Sequence, residues 1–173
     1  FLDQVIDSGI KVLKIEGRGR AADYVATVIK TYREAIDSYY EGTFTKEKIN
    51  TWMEALATVY NRGFWSGYYL GQKLGEWSDN PGSNATQKKV YVGKGMHYFP
   101  KSSIAEFKIE AYDIKKGDKI LITGPSTGAQ ELILEDFFVN DVTSEKATKG
   151  DSCTLKVPFR IRLSDKMYKI VEN

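Results

Sequence analysis

The hydrophobic pattern of this chain changes period once, from that of a helix to the strict alternation of a strand, across a polar stretch at Glu76-Trp77-Ser78-Asp79-Asn80-Pro81-Gly82-Ser83-Asn84. A single packed layer cannot serve both periods, so the chain must fold as two regions of different class. Pro, Gly and Asn in the stretch supply turn and linker chemistry, which sets the boundary between residues 1–82 and 83–173. Residues 1–82 hold 10 Lys+Arg against 11 Asp+Glu, and residues 83–173 hold 15 against 12, so the small basic excess lies in the second region.

The first region reads helix, strand, helix, helix. Leu2, Val5 and Ile6 give a short helical stripe that stops at Gly9, where a left-handed cap costs glycine little. Ile10 to Ile15 is apolar and rich in β-branched residues, which predicts a strand in a covered sheet. From Ala22 the positions Val25, Val28, Ile29, Tyr32, Ile36 and Tyr39 recur at threes and fours, predicting an amphipathic helix that ends near Gly42. A third helix is expected from Lys46 to Asn61, with Ile49, Met53, Leu56 and Tyr60 on one face. This order is the repeating unit of an α/β barrel or doubly wound sheet, and one strand is not a finished domain. The chain also opens on Phe1 in what reads as the middle of an element, so we expect a piece of a longer protein.

The second region alternates. Ala105, Phe107, Ile109 and Ala111 share one face of a strand whose other face carries Glu106, Lys108 and Glu110. Further strands are expected at 89–93, 119–123, 131–139, 153–157 and 166–171, separated by turns at Lys116-Gly117-Asp118, Gly124-Pro125 and Lys149-Gly150-Asp151. Short strands with no helix between them predict a small antiparallel barrel, and the whole chain is α+β.

Composition narrows the chemistry. With one His and one Cys, the chain cannot form an internal disulfide or assemble a four-cysteine or two-cysteine, two-histidine zinc site. Any triad would have to use His97, and no nucleophile is identifiable beside it; no catalytic residue and no metal ligand is assigned. Cys153 alternates with Leu155 and Val157, as a core position does. No apolar run approaches the roughly 18 residues of a membrane span, and the start lacks a signal peptide's regions; no membrane partner is expected and the cytoplasm is the default setting.

Two stretches stand out as binding candidates. Lys14-Ile15-Glu16-Gly17-Arg18-Gly19-Arg20 lies where the strand ends and a helix begins, the functional edge of α/β folds. Arg18 and Arg20 with the helix terminus could chelate an anion, and Gly17, Gly19 and Ala22 match a G-x-G-x-x-A spacing, although no second strand follows to complete a dinucleotide site. A plain glycine turn with solvated arginines, and Glu16 paired to Arg18 or Lys14, are equally open readings. Asn61-Arg62-Gly63-Phe64-Trp65-Ser66-Gly67-Tyr68-Tyr69 interleaves rings with Arg62, so Arg62, Phe64 and Trp65 could stack a nucleobase or a peptide ring, or else seal the third helix against a further domain. Lysines 88, 89, 94, 101, 108, 115, 116 and 119 offer a basic face, but Glu106, Glu110, Asp113 and Asp118 among them favour a mixed surface.

Leu13-Lys14-Ile15-Glu16-Gly17-Arg18 followed by Tyr24-Val25-Ala26-Thr27-Val28 and Tyr32-Arg33 resembles the last barrel strand and helix of the collagenase-like peptidase family, peptidase family U32. Asn61-Arg62-Gly63-Phe64 with Gly67 and Gly71 is similar to its second signature, and Gly93 to Tyr98, Lys116-Gly117-Asp118 and Gly124-Pro125 resemble its C-terminal β-barrel. The resemblance implies that residues 1–82 are the end of a TIM-like barrel with a helical connector, and that 83–173 form a small β-barrel similar to elongation factor Tu domain 2. It further implies a C-terminal, non-catalytic portion of a collagenase-like protease that recognises or positions a macromolecular substrate. Its partners would be the upstream barrel and a protein or collagen-like substrate, with Lys14, Glu16 and Arg18 at the barrel mouth. The alternative it implies is an RNA-docking module of an RNA-hydroxylating relative, whose substrate is structured tRNA or rRNA. An iron–sulfur cluster, where members have one, belongs to upstream cysteines; none is expected in this chain. Gly19-Arg20-Ala21-Ala22 departs from the family's Met-Lys-Ser-like stretch.

Overall fold

The helical stripes become α1 (Leu2–Asp7), α2 (Ala22–Tyr40) and α3 (Lys46–Ala57) in a computed structural model that describes residues 1–69, 71 and 82–173. The polar stretch at 76–84 lies mostly outside the described residues. The chain divides into two units, residues 1–86 with Asn173 and residues 87–172.

Gly9 and Gly42 follow α1 and α2 at φ +85° and +70°, a region a side chain enters only with strain. The buried positions of α2 are Val28, Thr31, Ala35 and Ser38, rotated from the expected stripe, while Ile29 and Tyr32 stay exposed. Small residues let α3 come close, and Lys48 Nζ donates to Ser38 Oγ at 3.1 Å and Thr43 Oγ1 at 2.7 Å. Thr45 caps α3, its side chain accepting from the Lys48 amide. α3 stops short of Asn61 because the Ala57 carbonyl is taken by the Thr86 amide at 2.9 Å instead of a further helical turn.

The strand expected at Ile10–Ile15 does not form. The segment has no ladder partner among the described residues, and Val12 is 81% exposed. A strand is defined by its neighbour, which periodicity alone cannot supply.

The second unit is an antiparallel sheet of eight strands in the order β5-β4-β10-β1-β2-β9-β6-β7, with β3 (Ile114–Lys115) and β8 (Lys146–Ala147) paired separately. Its members are β1 (Gln87–Phe99), β2 (Ile104–Ile109), β4 (Lys119–Gly124), β5 (Gly128–Ile133), β6 (Phe137–Val139), β7 (Val142–Ser144), β9 (Ser152–Lys156) and β10 (Lys166–Glu172). The closed barrel expected from the alternation is therefore an open sheet: β7, three residues long, pairs only with β6, and no ladder joins it to β5. The single strand expected over 131–139 is split, because the Leu134 amide bonds the Asp118 carbonyl and the Leu134 carbonyl takes the Gly117 amide, both at 2.8 Å. β1 runs on to Phe99 because Gly93 and Gly95 let it pass two register shifts.

Ala105, Phe107 and Ile109 of β2 point inward as their alternation predicts, joining Phe137, Met167, Ile120, Ile122 and Cys153 in one core. The carboxylates Asp118 and Asp165 are buried in the same unit. Asp165 Oδ2 accepts from Thr127 Oγ1 at 2.5 Å and from the Arg162 amide at 2.8 Å. Gly124 packs so near Asp165 that an added Cβ would lie 1.8 Å from Oδ1.

Candidate functional site

α2 and α3 lie side by side, so Arg20, just before the first, and Arg62, just after the second, meet at one ring. The Arg20 guanidinium carbon sits 3.8 Å from the centroid of Tyr60 and 5.8 Å from that of Tyr24. Arg62 Nε donates to Tyr60 Oη at 2.9 Å. Arg62 first, and Arg20 with it, hold the Tyr60 phenol below its usual range, since both favour the phenolate.

Beside this cluster opens a groove of about 370 Å³ in the helical unit. Tyr24, Val28 and Tyr32, each one turn apart on α2, form one wall, and Leu56, Val59 and Phe64 face the same space. Phe64 is 48% exposed.

Three of the sequence candidates thus come together: Arg20, Arg62 and Phe64. The other four stand apart from the groove. Lys14 and Arg18 are exposed, and Glu16 Oε1 accepts from the Arg18 backbone amide at 2.7 Å, so its partner is the turn itself and not a guanidinium. The Arg20 amide returns to the Gly17 carbonyl at 3.0 Å, and Gly19 is at φ +75°, which makes Gly17–Arg20 a turn leading into α2. A Cβ on Gly17 would lie 2.9 Å from Val25 Cγ2, so this glycine serves the approach to α2. Without a strand before it, the glycine spacing lacks the βα setting of a dinucleotide site. Trp65 packs edge-on against Tyr68, ring centroids 4.9 Å apart.

Sequence reasoning missed Tyr24, Tyr32 and Tyr60 as site residues: it read Tyr32 and Tyr60 as helix-face positions and Tyr24 only as part of a family motif. Their spacing on α2 carried the signal: aromatic, valine, aromatic at successive turns next to a cation.

In the second unit, Lys94, Lys116, Lys119, Lys146 and Lys169 each sit within 2.8 Å of a carboxylate oxygen, a mixed surface rather than a basic face. His97 is exposed, its ring edge-on to Phe99 at 4.4 Å. Cys153 is fully buried and its thiol is pushed up to about 12 by burial first. An iron–sulfur cluster held by several cysteine thiolates does not fit a chain with one cysteine. No helix among the described residues is long and apolar enough to cross a membrane.

Fold and site together define an α+β chain of two units with a cation-and-ring groove in the helical one. The chain is similar to peptidase family U32, whose family model matches residues 1–79. It is 50% identical to a collagenase of Porphyromonas gingivalis over 98% of this chain and 41% of that protein. It is 30% identical to tRNA hydroxylation protein P1 of Bacillus subtilis over 72% of this chain and 29% of that protein. Among solved structures, the C-terminal domain of a Geobacillus thermoleovorans protein assigned to the same family aligns over 45% of this chain and 96% of its own length, at 19% identity and TM-score 0.43. The chain thus spans less than half the length of the curated relatives it matches.

Proposed function

We propose that this chain is a C-terminal, non-catalytic portion of a larger, cytoplasmic U32 protein and that it recognises or positions that protein's macromolecular substrate. The observation that carries this is the groove: two guanidiniums and four rings gathered where the start of α2 meets the end of α3 are binding chemistry. In this reading residues 1–82 close a TIM-like barrel and supply a helical connector. The extended Ile10–Ile15 segment supports it, because apolar, exposed, β-branched residues with no ladder partner suit a strand whose neighbours come from upstream. Lys14, Glu16 and Arg18 would then stand at that barrel's mouth. Residues 83–173 are that protein's C-terminal β domain.

A protein substrate is the better-supported class. The collagenase match runs over 98% of this chain, and lysines paired to carboxylates weaken any phosphate-tracking face. RNA docking is the second reading, favoured by the tRNA hydroxylation relative. Titrating the chain with gelatin and with tRNA at low and near-physiological salt separates them. Gelatin binding in preference to tRNA supports the first; tRNA binding that falls steeply with salt, without gelatin binding, replaces it with the second; binding of neither sinks both.

A further inference from the structure

Two cations of the helical unit pair with carboxylates on their own helix. Lys30 takes Glu34 and Arg33 takes Asp37. Arg20 and Arg62 have no carboxylate partner among the described residues; both spend their contacts on Tyr60. The described groove lining contains no Asp or Glu. Two permanent positive charges are therefore held beside an apolar wall with no carboxylate in the described lining to neutralise them.

Their geometry selects the kind of anion. Arg62 uses Nε on the Tyr60 hydroxyl, which leaves its two terminal NH₂ groups for a ligand. The Arg20 guanidinium carbon lies 3.8 Å from the ring centroid, and the donors it does not spend on Tyr60 can meet a planar carboxylate two at a time. The adjacent Tyr24-Val28-Tyr32 ridge is apolar and about the length of one or two side chains. A phosphate backbone needs a longer basic track than two cations provide, whereas an acidic residue with an apolar neighbour meets both features at once.

We propose that the groove over Tyr60 binds an acidic segment of a polypeptide, with one carboxylate between Arg20 and Arg62 and a neighbouring apolar side chain on the Tyr24–Tyr32 ridge. This deepens the protein-substrate reading and rests on it for its biological meaning, though the binding itself can be measured alone. The test is fluorescence anisotropy of two labelled peptides, acetylated and amidated, Gly-Leu-Glu-Phe-Gly and its Gln counterpart, with the whole chain, Arg20→Gln and Arg62→Gln. Both arginines are exposed, so circular dichroism should show all three proteins folded alike. The Glu peptide should bind about tenfold more tightly than the Gln peptide, and each variant should lose about tenfold for the Glu peptide only. Equal binding of the two peptides, no binding of either, or unchanged binding by both variants overturns the proposal. So does tRNA that binds more tightly than the Glu peptide and loses affinity in the same variants, which would make the occupant a nucleic acid. If the Glu preference holds while gelatin is not bound, the groove assignment stands and the reading of the substrate class fails.

Discussion

Lys169 Nζ lies 2.7 Å from Asp118 Oδ2, joining β10 to the turn that precedes β4. The carboxylate is only 7% exposed and the same oxygen also accepts from the Lys115 amide at 2.8 Å. Removing it strands both a cation and a backbone donor. Breaking a buried pair costs roughly 3–5 kcal/mol, and with Lys169 partly in water Asp118→Ala should lose about 2–3 kcal/mol of stability. Lys169→Met keeps the stem and leaves the amide bond intact, so it should lose less. Urea unfolding of the two variants, with an unchanged slope, checks the order.

Gly93 is a position where no side chain fits. A Cβ there would lie 1.9 Å from the Lys108 carbonyl oxygen, and backbone cannot rotate away as a side-chain end can. Gly93→Ala should therefore cost at least the roughly 1–3 kcal/mol of ordinary overpacking, read as a lower melting temperature. A variant as stable as the parent would mean that β1 and β2 are not held this close.

Tyr91 donates to Glu110 Oε2 at 2.5 Å, and Lys94 holds the other oxygen at 2.8 Å. Burial first, then that hydrogen bond, pushes the Tyr91 phenol up to about 12 from its ordinary 10. A raised folded value means that the contribution is full below pH 10 and disappears as pH climbs from 10 to 12. Glu110 runs the other way. Lys94 first and Tyr91 next lower its carboxyl, so its contribution is present above the ordinary 4.5 and fades as pH falls through the lowered value. Tyr91→Phe should flatten the alkaline loss of stability, and Lys94→Met should flatten the acid one. Denaturation midpoints across the pH range measure both.

Cys153 should be inert in the folded protein, since a buried thiol near 12 offers almost no thiolate. Its reaction with a thiol reagent at neutral pH should follow the urea unfolding curve. Rapid labelling without urea would show that β9 opens locally.

What the sequence makes legible here is what depends on near neighbours. Gly9 and Gly42 mark helix ends, and the alternation of Ala105, Phe107 and Ile109 gives β2 its inward face, because caps and pleats are decided within a few residues. Ile10–Ile15 fails as a strand, and 131–139 splits, because each outcome turns on a distant backbone group: a missing ladder partner in one case and Asp118 in the other. The site divides the same way. Arg20 and Arg62 are visible as cations in glycine-rich turns, but their meeting on Tyr60 exists only once α2 and α3 have packed. Tyr60 itself reads as one more apolar position of the helix expected over 46–61, since periodicity cannot distinguish a ring that fills a core from one that floors a groove.

The strand order carries a consequence for synthesis. β10, the last strand in sequence, lies between β4 and β1 in the interior of the sheet. A nascent chain that has reached only Asp165 therefore displays two unpaired strand edges and lacks the buried Met167 side chain, with no local segment to cover them. The β unit must complete itself after residues 166–172 clear the ribosome, and until then the emerging chain depends on whatever shields those edges.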